Sequence, residues 1–226
     1  MKNHTLESGD FIFRENDKGA LEFVGDFNGL YSANDDPWSQ SGEKLEWSPY
    51  YNFSRARITN ELKKYSGNRN VLEVGCGLGF VVKFLSKKFS SFVVDGLDIS
   101  QIAIEKAQIR FPDYNFIIGD IMAPNFKTYR QYDIILLNQI LWYVLVSLKH
   151  AMKTCHELLS SSGTLIISQA FLKTQQKYGR EIIDGYEGLK LFMVENLNNE
   201  FTLISEKYDA NSKFKHNDGL LVYRKR

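Results

Sequence analysis

The sequence predicts an α/β protein with a seven-stranded, mostly parallel sheet, its last strand reversed, and helices on both faces. Three observations carry this. From about Asn70 onward, short continuous apolar runs alternate with amphipathic stretches, as in strands buried on both faces and joined by crossover helices. The first run, VLEV (Val71 to Val74), leads straight into three closely spaced glycines, Gly75, Gly77 and Gly79. The chain then closes on two strand-like runs separated by a polar loop, which suits an antiparallel pair.

Each element follows from its residues. GFVVKFLSKKF (Gly79 to Phe89) has the apolar spacing of a helix, and SFVVDGLDI (Ser91 to Ile99) is β-branched and ends in turn chemistry. Ser100 can cap QIAIEKAQIRF, where Ile102, Ala103, Lys106 and Ala107 fall at helical spacing. YNFIIGD (Tyr114 to Asp120) and YDIILLN (Tyr132 to Asn138) are the third and fourth strands. Leu145 to Leu159 reads as a helix stopped by SSSG, with Gly163 as the stop, and TLIISQ (Thr164 to Gln169) as strand five. A polar stretch, Lys173 to Tyr186, precedes a helix from Glu187 to Asn198. FTLISEKYD (Phe201 to Asp209) and GLLVYRKR (Gly219 to Arg226) form the closing pair, with His216 in the loop between them.

Residues 1–66 differ from residues 67–226, which hold the α/β pattern. They are rich in aromatic residues, Gly, Asn and Asp, with weak periodicity until a helix at about Asn52 to Tyr65. They read either as a surface extension with one helix on the core or as an N-terminal lid over a ligand site. The density of Trp and Tyr favours the lid.

Composition narrows the function. A chain of 226 residues can bury one sizeable core, and 43% hydrophobic with 24% charged residues is ordinary for a globular protein. Twenty-eight basic and 27 acidic residues leave a net charge of +1, which argues against a nucleic-acid partner. Two isolated cysteines, Cys76 and Cys155, make neither a disulfide framework nor a zinc site, and no metal is expected. The start lacks a signal-peptide core, and no run approaches the ~18 apolar residues of a membrane helix, so a cytoplasmic setting without membrane is expected.

The glycines lie between strand one and its helix, the crevice where open α/β sheets bind ligands. Asp98 ends strand two roughly 20 residues past the loop, a spacing suited to paired ribose hydroxyls. Asp120 and Asn138 end strands three and four on the same edge.

This set resembles the class I S-adenosylmethionine-dependent methyltransferases, whose fold is Rossmann-like. EVGCGLG resembles their first motif, E-x-G-x-G-x-G, GLDIS the second, IIGDIM the third, YDIILLN the fourth and LLSSSGTLIIS the fifth. Dinucleotide dehydrogenases prefer G-x-G-x-x-G, so the spacing and the preceding Glu73 favour the methyltransferase over an NAD enzyme. The resemblance implies S-adenosyl-L-methionine as cofactor and S-adenosyl-L-homocysteine as product. By it, Gly75, Cys76, Gly77 and Gly79 line the methionine end, and Glu73 anchors the cofactor's amino group. Asp98 takes the ribose hydroxyls with Ile99 against the adenine, Asp120 takes the adenine amino group with Ile121 beside it, and Asn138 lies near the methionine end or the acceptor.

Methyl transfer is an in-line displacement; an amine acceptor must first lose a proton, and a hydroxyl needs a stronger base. His150, His156 and His216 are the candidate bases, and His216 sits on the cofactor's edge of the sheet. Tyr31, Trp38, Tyr50, Tyr51, Arg57, Trp142 and Tyr143 could wall the acceptor pocket, with core packing as the alternative for Trp142 and Tyr143. The N/D-P-P-Y/F motif of DNA and protein-glutamine methyltransferases is absent after strand four, where the chain reads NQILWYV. DDPW, SPYYNFSRAR and LWYV resemble stretches of the NodS-like branch, which N-methylates an amino sugar on an oligosaccharide. That implies a saccharide or sugar-nucleotide acceptor. Other small metabolites, and a non-catalytic cofactor-binding or scaffold subunit, stay open.

Overall fold

The computed structural model describes residues 8–41, 48–210 and 213–226. Its centre is a seven-stranded sheet of β3 (Arg69–Val74), β4 (Phe92–Asp98), β5 (Asn115–Ile118), β6 (Tyr132–Asn138), β7 (Leu159–Leu172), β8 (Phe201–Asp209) and β9 (His216–Lys225). The strand order is β5-β4-β3-β6-β7-β9-β8. Neighbours run parallel from β5 to β7, while β9 is antiparallel to both β7 and β8. The expected seven strands with a reversed last one are therefore present.

Continuous apolar runs mean that both parities of each central strand are buried. In β6, Ile135 and Leu137 face one core with β7's Leu165 and Ile167, α6 (Leu148–Leu158) and α7 (Gly185–Leu197). Ile134 and Leu136 face the other core, under α3 (Ser48–Leu62), α4 (Phe80–Lys88) and α5 (Gln101–Arg110). Because the order turns outward on either side of β3 and β6, their carboxyl ends flank the crevice where such sheets hold ligands.

Several local expectations change. The helix before β7 starts at Leu148, since 141–143 and 145–147 are separate 3₁₀ turns. It ends at Leu158, because Leu159 is already extended and pairs with Tyr132. Gly163 is thus a strand residue and not the helix stop; the positive φ nearby belongs to Ser162, at 61°. His216 is not in a loop either: it opens β9 opposite Leu172.

The N-terminal segment carries more structure than its weak periodicity suggested. A short helix α1 (Ser8–Ile12) leads into a hairpin of β1 (Phe13–Glu15) and β2 (Leu21–Phe23), then α2 (Phe27–Ala33). Helix α2 is clasped against α5 at both ends. At its start Asn28 Oδ1 accepts from Ser100 Oγ at 2.9 Å and from the Ile102 amide at 3.3 Å. At its end Lys106 Nζ donates to the carbonyls of Tyr31 (2.7 Å) and Asn34 (3.3 Å) and pairs with Asp35 at 3.0 Å. A cation on terminal carbonyls satisfies groups the helix leaves open and complements its dipole.

Lys106→Ala should loosen α2 selectively. Losing these contacts is worth roughly 1 kcal/mol, so amide exchange across residues 26–34 is expected to speed up about five-fold while β3 and β6 are unchanged. Unaltered exchange in α2 would mean that the lysine anchors nothing.

Candidate functional site

The glycine loop joins β3 to α4 and is pinned to β4, whose Leu97 carbonyl accepts from the amides of Gly75 (2.7 Å) and Cys76 (3.0 Å). Gly75, Gly77 and Gly79 have φ of 73°, 51° and 77°, the left-handed region that favours glycine. Close packing adds a second constraint. A Cβ on Gly75 would strike Ile140, one on Gly77 would lie 2.5 Å from the Tyr31 hydroxyl, and one on Gly79 would lie 2.5 Å from the Phe116 ring. Of the three, only Gly75 lines the cavity that opens above the loop.

That cavity has a volume of about 480 Å³. At one end stand Asp98, Ile99, Asp120, Ile121 and Asn138 from the carboxyl ends of the strands or the turns after them. Asp98 Oδ2 accepts from the Gly77 amide at 2.8 Å and Oδ1 from the Ser100 amide at 2.9 Å. Burial pushes its pKa up, and the amides of Ser100, Gly77 and Ile99 draw it back. Three amides on about four acceptor sites leave Asp98 capacity for a further donor. Asp120 Oδ1 is held by the Met122 amide at 2.7 Å.

Glu73 lies just behind the loop, 2% exposed. Burial pushes its carboxyl up to about 8, against the pull of hydrogen bonding from Asn138, the nearby Arg55 charge and the Val82 backbone. Its Oε2, the Asn138 Oδ1 and the Arg55 Nε are buried without a hydrogen-bond partner. A buried carboxyl and a guanidinium with open capacity fit the ammonium and carboxylate of an amino-acid moiety. These residues therefore fit S-adenosylmethionine, with its amino-acid end toward Glu73 and Arg55 and its nucleoside toward Asp98 and Asp120.

The other end is aromatic. Phe27, Tyr31, Trp38, Tyr50, Tyr51, Trp142 and Tyr143 line the cavity. Trp38 and Phe27 reach Tyr143 at ring separations of 6.0 and 5.4 Å, and the Tyr51 hydroxyl donates to the Trp38 carbonyl. Trp142 Nε1 donates to the Ala170 carbonyl at 3.2 Å. The N-terminal residues thus meet the segment after β6 over the glycine loop.

Most of the expected site residues converge here, but five do not line the cavity: besides Glu73 behind the loop, these are Cys76, Gly77, Gly79 and Arg57. The Cys76 side chain packs below the loop in the α3/α4/α5 core, where burial raises its pKa, and Gly77 and Gly79 face Tyr31 and Phe116. Arg57 is also turned away: it pairs with Asp209 at 3.2 Å and donates to the Lys207 carbonyl at 3.0 Å. The arginine in the cavity wall is Arg55, whose Nη2 donates to the Gln40 carbonyl at 2.7 Å. Two residues apart on α3, the pair points in nearly opposite directions, and the repeat SRAR does not say which faces inward. His216 lines the cavity, whereas exposed His150 reaches the Ala123 carbonyl and His156 packs on Phe201.

Gln40, Gln139, Gln169 and, behind His216, Asp218 were not anticipated. Gln139 has φ of 62°, rare for a residue with a side chain, at the point where the chain leaves β6. Asp218 was legible in principle, since it follows His216 by two on one strand and shares its face. Among the described residues no cluster could hold a metal ion, and no helix is long and apolar enough to cross a membrane.

Comparison with known proteins agrees with this geometry. Residues 71–163 match the family profile of the methyltransferase domain. A carboxy-S-adenosyl-L-methionine synthase from Campylobacter curvus is 25% identical over 187 residues, 80% of this chain and 75% of that one. A malonyl-[acyl-carrier protein] O-methyltransferase from Priestia megaterium is 31% identical over 117 residues, 50% of this chain but only 41% of that one. In structure, the N-methyltransferase NodS of Bradyrhizobium japonicum, solved with S-adenosyl-L-homocysteine, superposes with a TM-score of 0.61 at 21% identity. The match covers 85% of this chain and 93% of that one. The class I methyltransferase resemblance and the Rossmann-like fold are borne out.

A proton linkage follows. With its carboxyl raised to about 8, Glu73 holds a proton at neutral pH, and a ligand ammonium beside it favours the carboxylate. Binding should therefore expel a proton, and affinity for S-adenosylhomocysteine should rise with pH up to about 8, by at most about tenfold per unit. Titration calorimetry in buffers of different ionisation heat reads the released proton directly. Glu73→Gln should abolish it; an equal proton release in that variant would assign the linkage elsewhere.

Proposed function

We propose that this chain, a class I S-adenosylmethionine-dependent methyltransferase, moves the methyl group onto a nitrogen or oxygen of a small molecule, an amine or hydroxyl of a saccharide or sugar nucleotide. The observation that carries the reading is one continuous cavity, with Asp98, Asp120 and Asn138 at one end and His216 among aromatic rings at the other. Sugar rings stack on Trp and Tyr faces, and the NodS likeness in fold is consistent with such an acceptor. Oxygen stays beside nitrogen because the malonyl-[acyl-carrier protein] relatives are O-methyltransferases.

S-adenosylmethionine supplies an electrophilic methyl on a positively charged sulfur, a good leaving group. The chain's residues bind, align and exclude water. Glu73 and Arg55 hold the amino-acid end, Asn138 orients Glu73 and faces the reacting region, and Gly75 lets the loop come close. Asp98 takes the ribose hydroxyls, Asp120 the adenine amino group, and Ile99 and Ile121 flank the base. Tyr31, Trp38, Tyr50, Tyr51, Trp142 and Tyr143 wall the acceptor. Of residues 1–66, the described 8–41 and 48–66 act as a lid over residues 67–226, the others lying outside the described residues, and His216 receives the acceptor's proton.

Calorimetry with S-adenosylhomocysteine should show one-site binding, with none for NAD. Asp98→Ala should weaken it by about 2 kcal/mol, or roughly 30-fold, as charge-assisted bonds are lost. Methyl-labelled donor should then label saccharide members of an amine and hydroxyl panel. Labelling confined to other metabolites would remove the saccharide assignment; cofactor binding with no transfer would leave a non-catalytic subunit.

A further inference from the structure

Asp95 is a buried carboxylate that the site described above does not use. It lies in the middle of β4, 1% exposed, between Leu72 of β3 and Asn115 of β5. Leu72 and Leu97, on the same face, belong to the apolar core under α6 and α7. A charge in such a place is costly unless it is hydrogen-bonded. Donors converge on one of its oxygens. Asp95 Oδ2 accepts from the Tyr129 hydroxyl at 2.6 Å and from the Tyr132 hydroxyl at 2.9 Å, and Arg130 Nε lies 3.5 Å away. Among the described residues Oδ1 is buried without a hydrogen-bond partner, so the contacts on Oδ2 are not duplicated on the other oxygen. Burial, and then Asp95, raises the pKa of both phenols, so both remain donors.

The two tyrosines differ in what they tie down. Tyr132 belongs to β6 and is fully buried, a core residue in its own right. Tyr129 belongs to residues 119–131, which join β5 to β6 without a helix or strand. Its ring is 62% exposed with the Arg130 guanidinium 4.6 Å above it, and its hydroxyl also accepts from Asn115 Nδ2 at 2.9 Å. Arg130 in turn donates to Asn70 Oδ1 at 3.1 Å. An exposed residue of an irregular segment thus sends its hydroxyl into the core for a partner. The other end of the segment is Gly119, Asp120, Ile121 and Met122, which line the cavity beside Asp98. The Gly119 amide donates to the Asp98 carbonyl at 2.9 Å. Asp120 then folds the turn, its Oδ1 accepting from the Met122 amide at 2.7 Å and its carbonyl from the Ala123 amide at 3.0 Å. Between the ends, Phe126 packs so close to Gly119 that a Cβ there would lie 2.4 Å from the ring. Strand β4 therefore holds the segment twice, by the backbone of Asp98 at its start and by the side chain of Asp95 near its end. A segment without secondary structure of its own depends on such ties for its conformation.

Resting on the S-adenosylmethionine reading above, we propose that Asp95 and Tyr129 are positioning residues for adenine recognition: their hydrogen bond holds the β5–β6 segment so that the Asp120 carboxylate meets the adenine amino group. Neither residue lines the cavity. Asp95 acts through Tyr129, and Tyr129 acts through the contact of Phe126 on Gly119 and the turn at Asp120. Releasing the tie relaxes the choice of base without removing the site, since Asp98 stands on its own anchors, the amides of Gly77 and Ser100.

Calorimetry of the full chain with S-adenosylhomocysteine and with S-inosylhomocysteine reads the choice of base. Inosine puts a carbonyl where adenine carries the amino group, so the wild-type chain should bind the inosine compound about 30-fold more weakly. In Tyr129→Phe that ratio should fall to about five-fold, with amide exchange at Met122 and Ala123 accelerated by a similar factor. Tyr132→Phe removes a bond to the same carboxylate but frees no part of the segment. It should lower the Tm and leave the ratio as it is. A ratio unchanged in Tyr129→Phe, or lowered equally in both variants, overturns the proposal and leaves the cofactor reading standing. Equal affinity of the wild-type chain for the two compounds removes Asp120 from the adenine, and the proposal with it, but not methyl transfer. Binding of neither compound overturns both.

Discussion

One carboxylate organises the glycine-loop end of the cavity. Asp98 is the last residue of β4, and its two oxygens are tied to the amides of Gly77 and Ser100. The first tie fixes a loop whose three glycines sit at positive φ; the second sets the start of α5, where Ser100 Oγ caps Ala103 at 3.1 Å. Strand, loop and helix are thereby locked around one buried charge, whose desolvation is offset by the amides that point at it. The rest of this end of the cavity inherits the geometry: Ile99 follows Asp98 directly, and the Leu97 carbonyl before it holds the loop's first two amides.

The same helix start is where the N-terminal segment attaches. Asn28 docks on Ser100 and Ile102, and Lys106 holds the far end of α2, so Tyr31 descends onto Gly77. A side chain on Gly77 would conflict with both the backbone conformation and Tyr31, so the loop and its cover constrain one another. The cover also has an electrostatic consequence. Behind the same loop, burial raises the Glu73 carboxyl to about 8, and the Arg55 charge from α3 pulls it back.

The α/β class, the parallel sheet with its reversed strand and the line of polar residues along one sheet edge were all legible, because each is written in contiguous stretches with characteristic periods and spacings. Asp98, Asp120 and Asn138 stand where apolar strands give way to polar turns, a signal local to each strand. The losses came where a residue's partner is distant. The β1–β2 hairpin is built from three-residue strands, too short for any alternation to register. Gly163 looked like a helix stop, but β7 begins at Leu159 because Tyr132 pairs with it across the sheet. Cys76 sits within the motif yet points into the core, since Gly96 leaves room for its sulfur.

The contrast between the two ends of the cavity has the same origin. The end near Asp98 comes from strand termini and the turns after them, so its polar residues appear in order along the chain. The aromatic end is assembled from α2, α3, the turn after β6, the end of β7 and the start of β9, segments scattered from Phe27 to His216. Only register brings them together: Asp218 lies opposite Ala170, whose amide is held by Gln139 at 2.8 Å, and α3 lays Tyr50 over the pair. A single-residue slip of β9 would turn His216 and Asp218 to the opposite face, toward the α6/α7 core. Side-chain size opposes that slip, since Leu220 and Val222 fill one core while Leu221 and the bulkier Tyr223 fill the other. Packing at one end of the strand thus sets which side chains the other end presents to the cavity.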